Sequence, residues 1–108
     1  MTDTSAIAYE LLKDVTTPTV SGEAMLGSDS KSVQVKGLTT AGVGYATFDV
    51  EVSNDTTYPW IKAGELFLIL GTTAKADGIL LDSAWAYVRV KLVSISGTGA
   101  KVSASVGV

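Results

Sequence analysis

The chain contains no cysteine and no histidine. The first absence excludes disulfides, thiolate metal sites and thiol chemistry. The second removes the usual general base near neutral pH and the commonest nitrogen ligand for a metal. Basic residues are few, 8 against 11 acidic ones, and Arg89 is the single arginine. No basic stripe forms along any segment, so no nucleic-acid partner is expected. Long apolar runs are missing too. The longest, Leu66 to Leu70, is far too short to cross a bilayer, and no membrane partner is expected. The start, Met1-Thr2-Asp3-Thr4-Ser5, lacks the basic residues and apolar run of a signal peptide, which predicts a protein made in the cytoplasm and used or assembled there.

What is present is a β pattern. The 108 residues suit one domain, and 46% hydrophobic against 18% charged residues is enough apolar material for a core. Tyr45 to Val52 alternates cleanly, with Ala46, Phe48, Val50 and Val52 on one face and Thr47, Asp49 and Glu51 on the other. Ser32 to Leu38, Tyr58 to Lys62, Glu65 to Leu70 and Asp77 to Asp82 read as further strands. Trp85 to Val108 reads as one long hairpin. Val88, Val90 and Leu92 alternate with Tyr87, Arg89 and Lys91; after a Ser96–Gly99 turn, Ala100, Val102, Ala104 and Val106 alternate with polar residues. Thr39 to Gly44 and Ser53 to Thr57 carry turn chemistry. About seven short strands at regular spacing predict an all-β, antiparallel sandwich of jelly-roll or immunoglobulin type over residues 32–108.

Residues 1–31 differ. Ile7, Leu11 and Val15 fall on one helical stripe that Thr4 or Ser5 could cap, so Ser5 to Val15 suits a short helix. Thr16, Thr17 and Pro18 follow closely, and an isolated helix of about ten residues is marginal, so an extended arm that orders on another chain is an equal alternative.

Residue type sets the candidate sites. Asp49, Glu51 and Asp55 could converge on calcium, which wants several hard oxygens. The competing reading is a surface ladder, because Arg89 and Lys91 alternate on a matching strand. Glycine pairs at Gly42/Gly44 and Gly97/Gly99 are followed by no helix, so they do not suit a phosphate cradle. Serines have no base beside them, and an enzyme is not expected. No cofactor is implied. Trp60, Trp85, Tyr58 and Tyr87 suit either core plugs or a sugar-stacking platform. Leu66 to Leu70 is apolar on both faces and so must be covered twice, by its own fold or by a neighbouring subunit. The candidate contact residues are therefore Ile7, Leu11, Leu12 and Val15 in the N-terminal segment, with Trp60, Leu66, Phe67, Leu68 and Ile69.

Val50-Glu51-Val52-Ser53-Asn54-Asp55, Leu70-Gly71-Thr72-Thr73, Asp77-Gly78, Trp85-Ala86-Tyr87-Val88-Arg89 and Ile95-Ser96-Gly97-Thr98-Gly99-Ala100 resemble the strands and turns of small structural proteins of tailed bacteriophages, over residues 32–108. The resemblance is to capsid decoration (cement) or head-fibre proteins. It implies a non-enzymatic virion protein that binds the major capsid protein and copies of itself, with a homo-oligomer, a trimer favoured, and residues 1–31 as tether. A neck or tail component is a related reading. The same motifs are similar to discoidin-type carbohydrate-binding sandwiches, which would imply a module that binds a sugar or a host surface. Thr56-Thr57-Tyr58-Pro59-Trp60 departs from the glycine and tryptophan that usually follow in that family.

Overall fold

The computed structural model describes residues 8–22, 24–25, 31–55, 57–81 and 85–107. Among these residues nine strands follow in order: β1 (Ala8–Val15), β2 (Thr19–Val20), β3 (Ala24–Met25), β4 (Lys31–Leu38), β5 (Ala41–Ser53), β6 (Ile61–Leu70), β7 (Lys75–Leu81), β8 (Tyr87–Thr98) and β9 (Lys101–Gly107). They form two antiparallel sheets. The first has the order β1-β9-β4-β7. The second has the order β2-β8-β5-β6, and β3 also pairs with β8. Since β2 and β3 occupy the same edge of β8, they act as one interrupted strand.

The pairing runs from the outside of the chain inward. β1 meets β9, β2 and β3 meet β8, β4 meets β7, and β5 meets β6. A double-stranded ribbon rolled up in this way is a jelly roll, two four-membered layers face to face. The sandwich expected from the sequence is therefore present.

Alternation decides which side chains fill it. Val33, Val35, Val102, Ala104 and Val106 of the first sheet are buried against Phe48, Val50, Val52, Val88, Val90 and Leu92 of the second. Each of these strands turns every second residue inward, so one buried row per strand is enough to build the core.

Two expectations are corrected. Ser5 to Val15 is not a helix over its described part. Ala8–Val15 is the strand β1, paired with β9 of the same chain, and Leu12 is buried in the core. A hydrophobic stripe at i, i+4 and i+8 also has every member at even spacing, so it fits one face of a strand as well as one of a helix. This strand is bent: its register shifts at Glu10/Leu12 and Leu12/Val15, and Asp14 has φ 48°. Those bulges let Leu11 and Val15 pack partly against the core together with Leu12. Residues 8–15 are thus not an arm waiting for another protein.

The second correction concerns the last quarter of the chain. β8 and β9 do not form a hairpin. β8 pairs with β5 in the second sheet, and β9 pairs with β1 and β4 in the first. Only Gly99 and Ala100 separate them, with Gly99 at φ 63°. Alternation reveals which face of a strand is buried but not which strand lies beside it. A chain that crosses between layers keeps the same pattern as one that turns back within a layer.

The expected turn at Thr39–Gly44 shrinks to Thr39 and Thr40. Thr39 is buried, donates its N–H to Gly71 O at 2.8 Å and its hydroxyl to Gly42 O at 2.7 Å. β5 then starts at Ala41 and crosses close to the end of β8. A Cβ on Gly97, whose φ is 122°, would stand 2.8 Å from Gly44 Cα. The two glycines are needed for that approach. The strands expected at Tyr58–Lys62 and Glu65–Leu70 are one strand, β6, with a bulge between Lys62 and Gly64.

Candidate interaction surface

The outer face of the second sheet carries the most chemistry. Its register fixes the rows. Tyr45 lies opposite Ile69 on β6 and Ser96 on β8; Thr47 lies opposite Phe67 and Ser94. Next come Asp49 with Glu65 and Lys91, then Glu51 with Lys62 and Arg89. The face is therefore divided, apolar at one end and charged at the other.

At the apolar end Tyr45, Phe67 and Ile69 are 48%, 51% and 58% exposed. The rings of Tyr45 and Phe67 stack with centroids 6.0 Å apart and planes 21° from parallel. Near-parallel stacking of this kind fixes the two rings against each other. The patch exists because β6 keeps Leu66, Leu68 and Leu70 for the core and puts Phe67 and Ile69 on the opposite face.

At the charged end one rung of the expected ladder is present. Arg89 Nε donates to Glu51 Oε1 at 2.7 Å across neighbouring strands. The guanidinium also lies over the Trp60 ring, 4.3 Å from its centroid. The side chains of Arg89 and Glu51 are only 26% and 16% exposed, so solvent screens this pair less than an ordinary surface bridge. Asp49 faces Lys91 in register, but its close cation is Lys62, with Nζ 3.3 Å from Oδ1. That contact is off the line of a hydrogen bond, and Oδ1 has no hydrogen-bond partner. Lys62 also reaches Glu65 Oε2 at 3.4 Å. The Asp49 carboxylate, helped by Glu65, holds the Lys62 ammonium above the ordinary lysine range, against partial desolvation.

The third member of the sequence's carboxylate group does something else. Asp55 Oδ1 accepts from the Thr57 N–H and the Thr57 hydroxyl, each at 2.9 Å. These bonds, the backbone one first, hold its carboxyl below the usual range. Asp49, Glu51 and Asp55 thus have three different partners. Among the described residues no three carboxylates are grouped as a metal ion would need.

The candidate contact residues separate accordingly. Phe67 and Ile69 are on the surface, side by side with Tyr45. Leu66, Leu68 and Leu12 are in the chain's own core and so are not contact residues, a correction to the sequence reading. The physical reason is that a single layer of core takes the even-numbered half of β6 and leaves the odd-numbered half outside. Leu11 and Val15 pack partly against that core. Trp60 is half-buried under Arg89. Ile7 lies outside the described residues. Tyr45 was missed, although its place in the outward phase of Thr47, Asp49 and Glu51 already pointed to this face.

The outer face of the first sheet is polar along β4 and β9, with Leu80 exposed on β7. Glu10, Gln34, Lys36, Ser103 and Ser105 line a shallow groove there. Ser103 is buried and accepts from the Asp14 N–H at 2.9 Å.

No family model matches the chain, and no curated protein matches it in sequence. The fold is similar to the crystal structure of the SPBc2 prophage-derived protein YomS, with a TM-score of 0.56. Identity is 12%, and the likeness covers 99% of this chain and 96% of the other. At that identity it is a likeness of fold.

Proposed function

We propose that this chain is a non-enzymatic structural protein of a bacteriophage particle, and that it decorates the capsid as a cement protein. The observation that carries the reading is the end-to-end match of fold and length with a prophage-derived protein. Two features agree with it. A jelly roll is an architecture used in viral shells. The outer face of the second sheet also has the character of an adhesive surface, an apolar end beside a charged end. The apolar end, Tyr45, Phe67 and Ile69, would bury against the major capsid protein, and the charged end would set orientation. Each contact would be modest, and repetition over a lattice would add stability to the shell. The site of action would be the virion.

The test is binding of the purified protein to assembled capsids that lack it, read by cosedimentation and by thermal stability of the shells. Stoichiometric binding that raises the shell's melting temperature supports the proposal. Absence of binding to capsids, with binding to necks or tails, moves the protein elsewhere in the particle.

A second reading rests on the stacked, half-exposed rings of Tyr45 and Phe67. Such an exposed aromatic pair suits stacking on a sugar face, and the protein would then recognise a glycan on the host surface. Retention on a glycan array that is lost in Tyr45→Ala would favour it.

A further inference from the structure

We propose that the free edge of β6 pairs with β6 of a second copy of this chain, about a two-fold axis at Leu68. The two sheets present four edges, β1, β7, β6 and the broken strand β2–β3. An exposed edge is a row of unpaired N–H and C=O groups, and sequences usually blunt it. β1 is broken by two register shifts and a positive φ at Asp14. β2 and β3 are two residues each with a gap between them. β7 carries Asp77 opposite the buried Val35, a charge on the inward phase of an edge strand. β6 has such devices only in its first half, where Lys62 and the bulge lie and where Ile79 fits against Gly64.

From Glu65 to Leu70 that edge is regular, without proline, lysine or register shift. The same residues present Phe67 and Ile69 to solvent on the outer face and Leu66, Leu68 and Leu70 to the core. Among the described residues this edge has no strand beside it, and a bare edge next to an apolar face calls for another strand to continue the sheet. The occupant is a second copy because the strand is complementary to itself. Antiparallel pairing about Leu68 sets Phe67 opposite Ile69 of the other copy, and Ile69 opposite its Phe67. It sets Leu66 opposite Leu70 on the inner face, so the leucine row of one sandwich continues into the next. Glu65 falls opposite Gly71, and no like charges meet. Moving the axis to Phe67 would put Glu65 against Ile69, a poorer match. A two-fold contact of this kind is isologous and closes on two chains, not on the trimer that the phage resemblance implies. It also joins two Tyr45–Phe67–Ile69 patches into one outward face.

The chain has no cysteine, which permits a clean cross-linking test. Directly opposite residues on antiparallel strands have the Cα separation a disulfide needs. The proteins F67C and I69C, mixed and oxidised, are expected to cross-link mainly to each other and little to themselves. Wild-type protein should run as two chains by size-exclusion chromatography with light scattering. Ile69→Lys, at an exposed position, should run as one chain with an unchanged circular dichroism spectrum. A wild-type single chain at high micromolar concentration overturns the inference, as does a dimer indifferent to Ile69→Lys. Self-cross-linking of F67C in excess overturns the register. All measurements are made on free protein, so their failure leaves capsid binding to be judged by its own assay.

Discussion

Ser21 and Val90 exchange two hydrogen bonds: the Ser21 N–H donates to Val90 O at 2.9 Å, and the Val90 N–H donates to Ser21 Oγ at 2.9 Å. Val90 is in the middle of β8, fully buried, and faces the gap between β2 and β3. A serine hydroxyl there replaces the backbone acceptor that an unbroken edge strand would have supplied. Ser21→Ala leaves the Val90 N–H without its acceptor. We expect a loss of about 1–3 kcal/mol, the cost of a buried unsatisfied donor. Urea denaturation measures it, and faster amide exchange at Val90 locates it.

Arg89 holds Glu51 and covers Trp60 at once. Arg89→Ala should cost about 1–2 kcal/mol, more than a solvent-exposed bridge and less than a fully buried one. Arg89→Lys should recover only part, because an ammonium has neither the planar fork nor the flat face for stacking. Thermal melts rank the three proteins. In a Trp85→Phe background, Trp60 emission should shift to the red in both variants.

Leu12 distinguishes a structural strand from a free arm. It is buried with the core although it belongs to the first described strand. Leu12→Ala should destabilise the whole domain by about 2–5 kcal/mol, as other buried leucine truncations do. An arm without partners in its own chain would show almost no change in the same denaturation curve.

The pH dependence of stability should be flat across a wide centre and fall at both ends. The folded pKa of Asp55 lies below that of a free carboxylate, so its contribution is present above the free value and is lost as pH falls through the lower folded one. The folded pKa of Lys62 lies above 10.5, so its contribution is present below that value and is lost as pH rises through the higher folded one. Asp55→Asn should therefore reduce the acid-side slope alone, and Lys62→Met the alkaline-side slope alone. Denaturation curves across the pH range check both.

Much of the site can be read from the chain. The outward phase of Thr47, Asp49 and Glu51 against Arg89 and Lys91 anticipates a cross-strand charge ladder, and Glu51–Arg89 is such a rung. The polar run at Ser53–Thr57 anticipates a side-chain-bonded turn, and Asp55 makes it. Those features are local, set by alternation and by short polar side chains, and so they survive without knowledge of the fold. The Asp49–Lys62 pair was not legible, because it depends on β6 lying beside β5 with a bulge at Lys62.

The sequence by itself determined the β class, the inward rows of β5, β8 and β9, and the lack of histidine and cysteine. Only the tertiary structure decided the partners. It placed β8 and β9 in different layers, turned the N-terminal stripe into an edge strand, and put Leu66 and Leu68 inside while Phe67 and Ile69 stayed out. The reason is that a period of two is a property of one strand in contact with one apolar layer. Which strand supplies that layer, and which lies at the edge, depends on contacts between residues far apart in the chain.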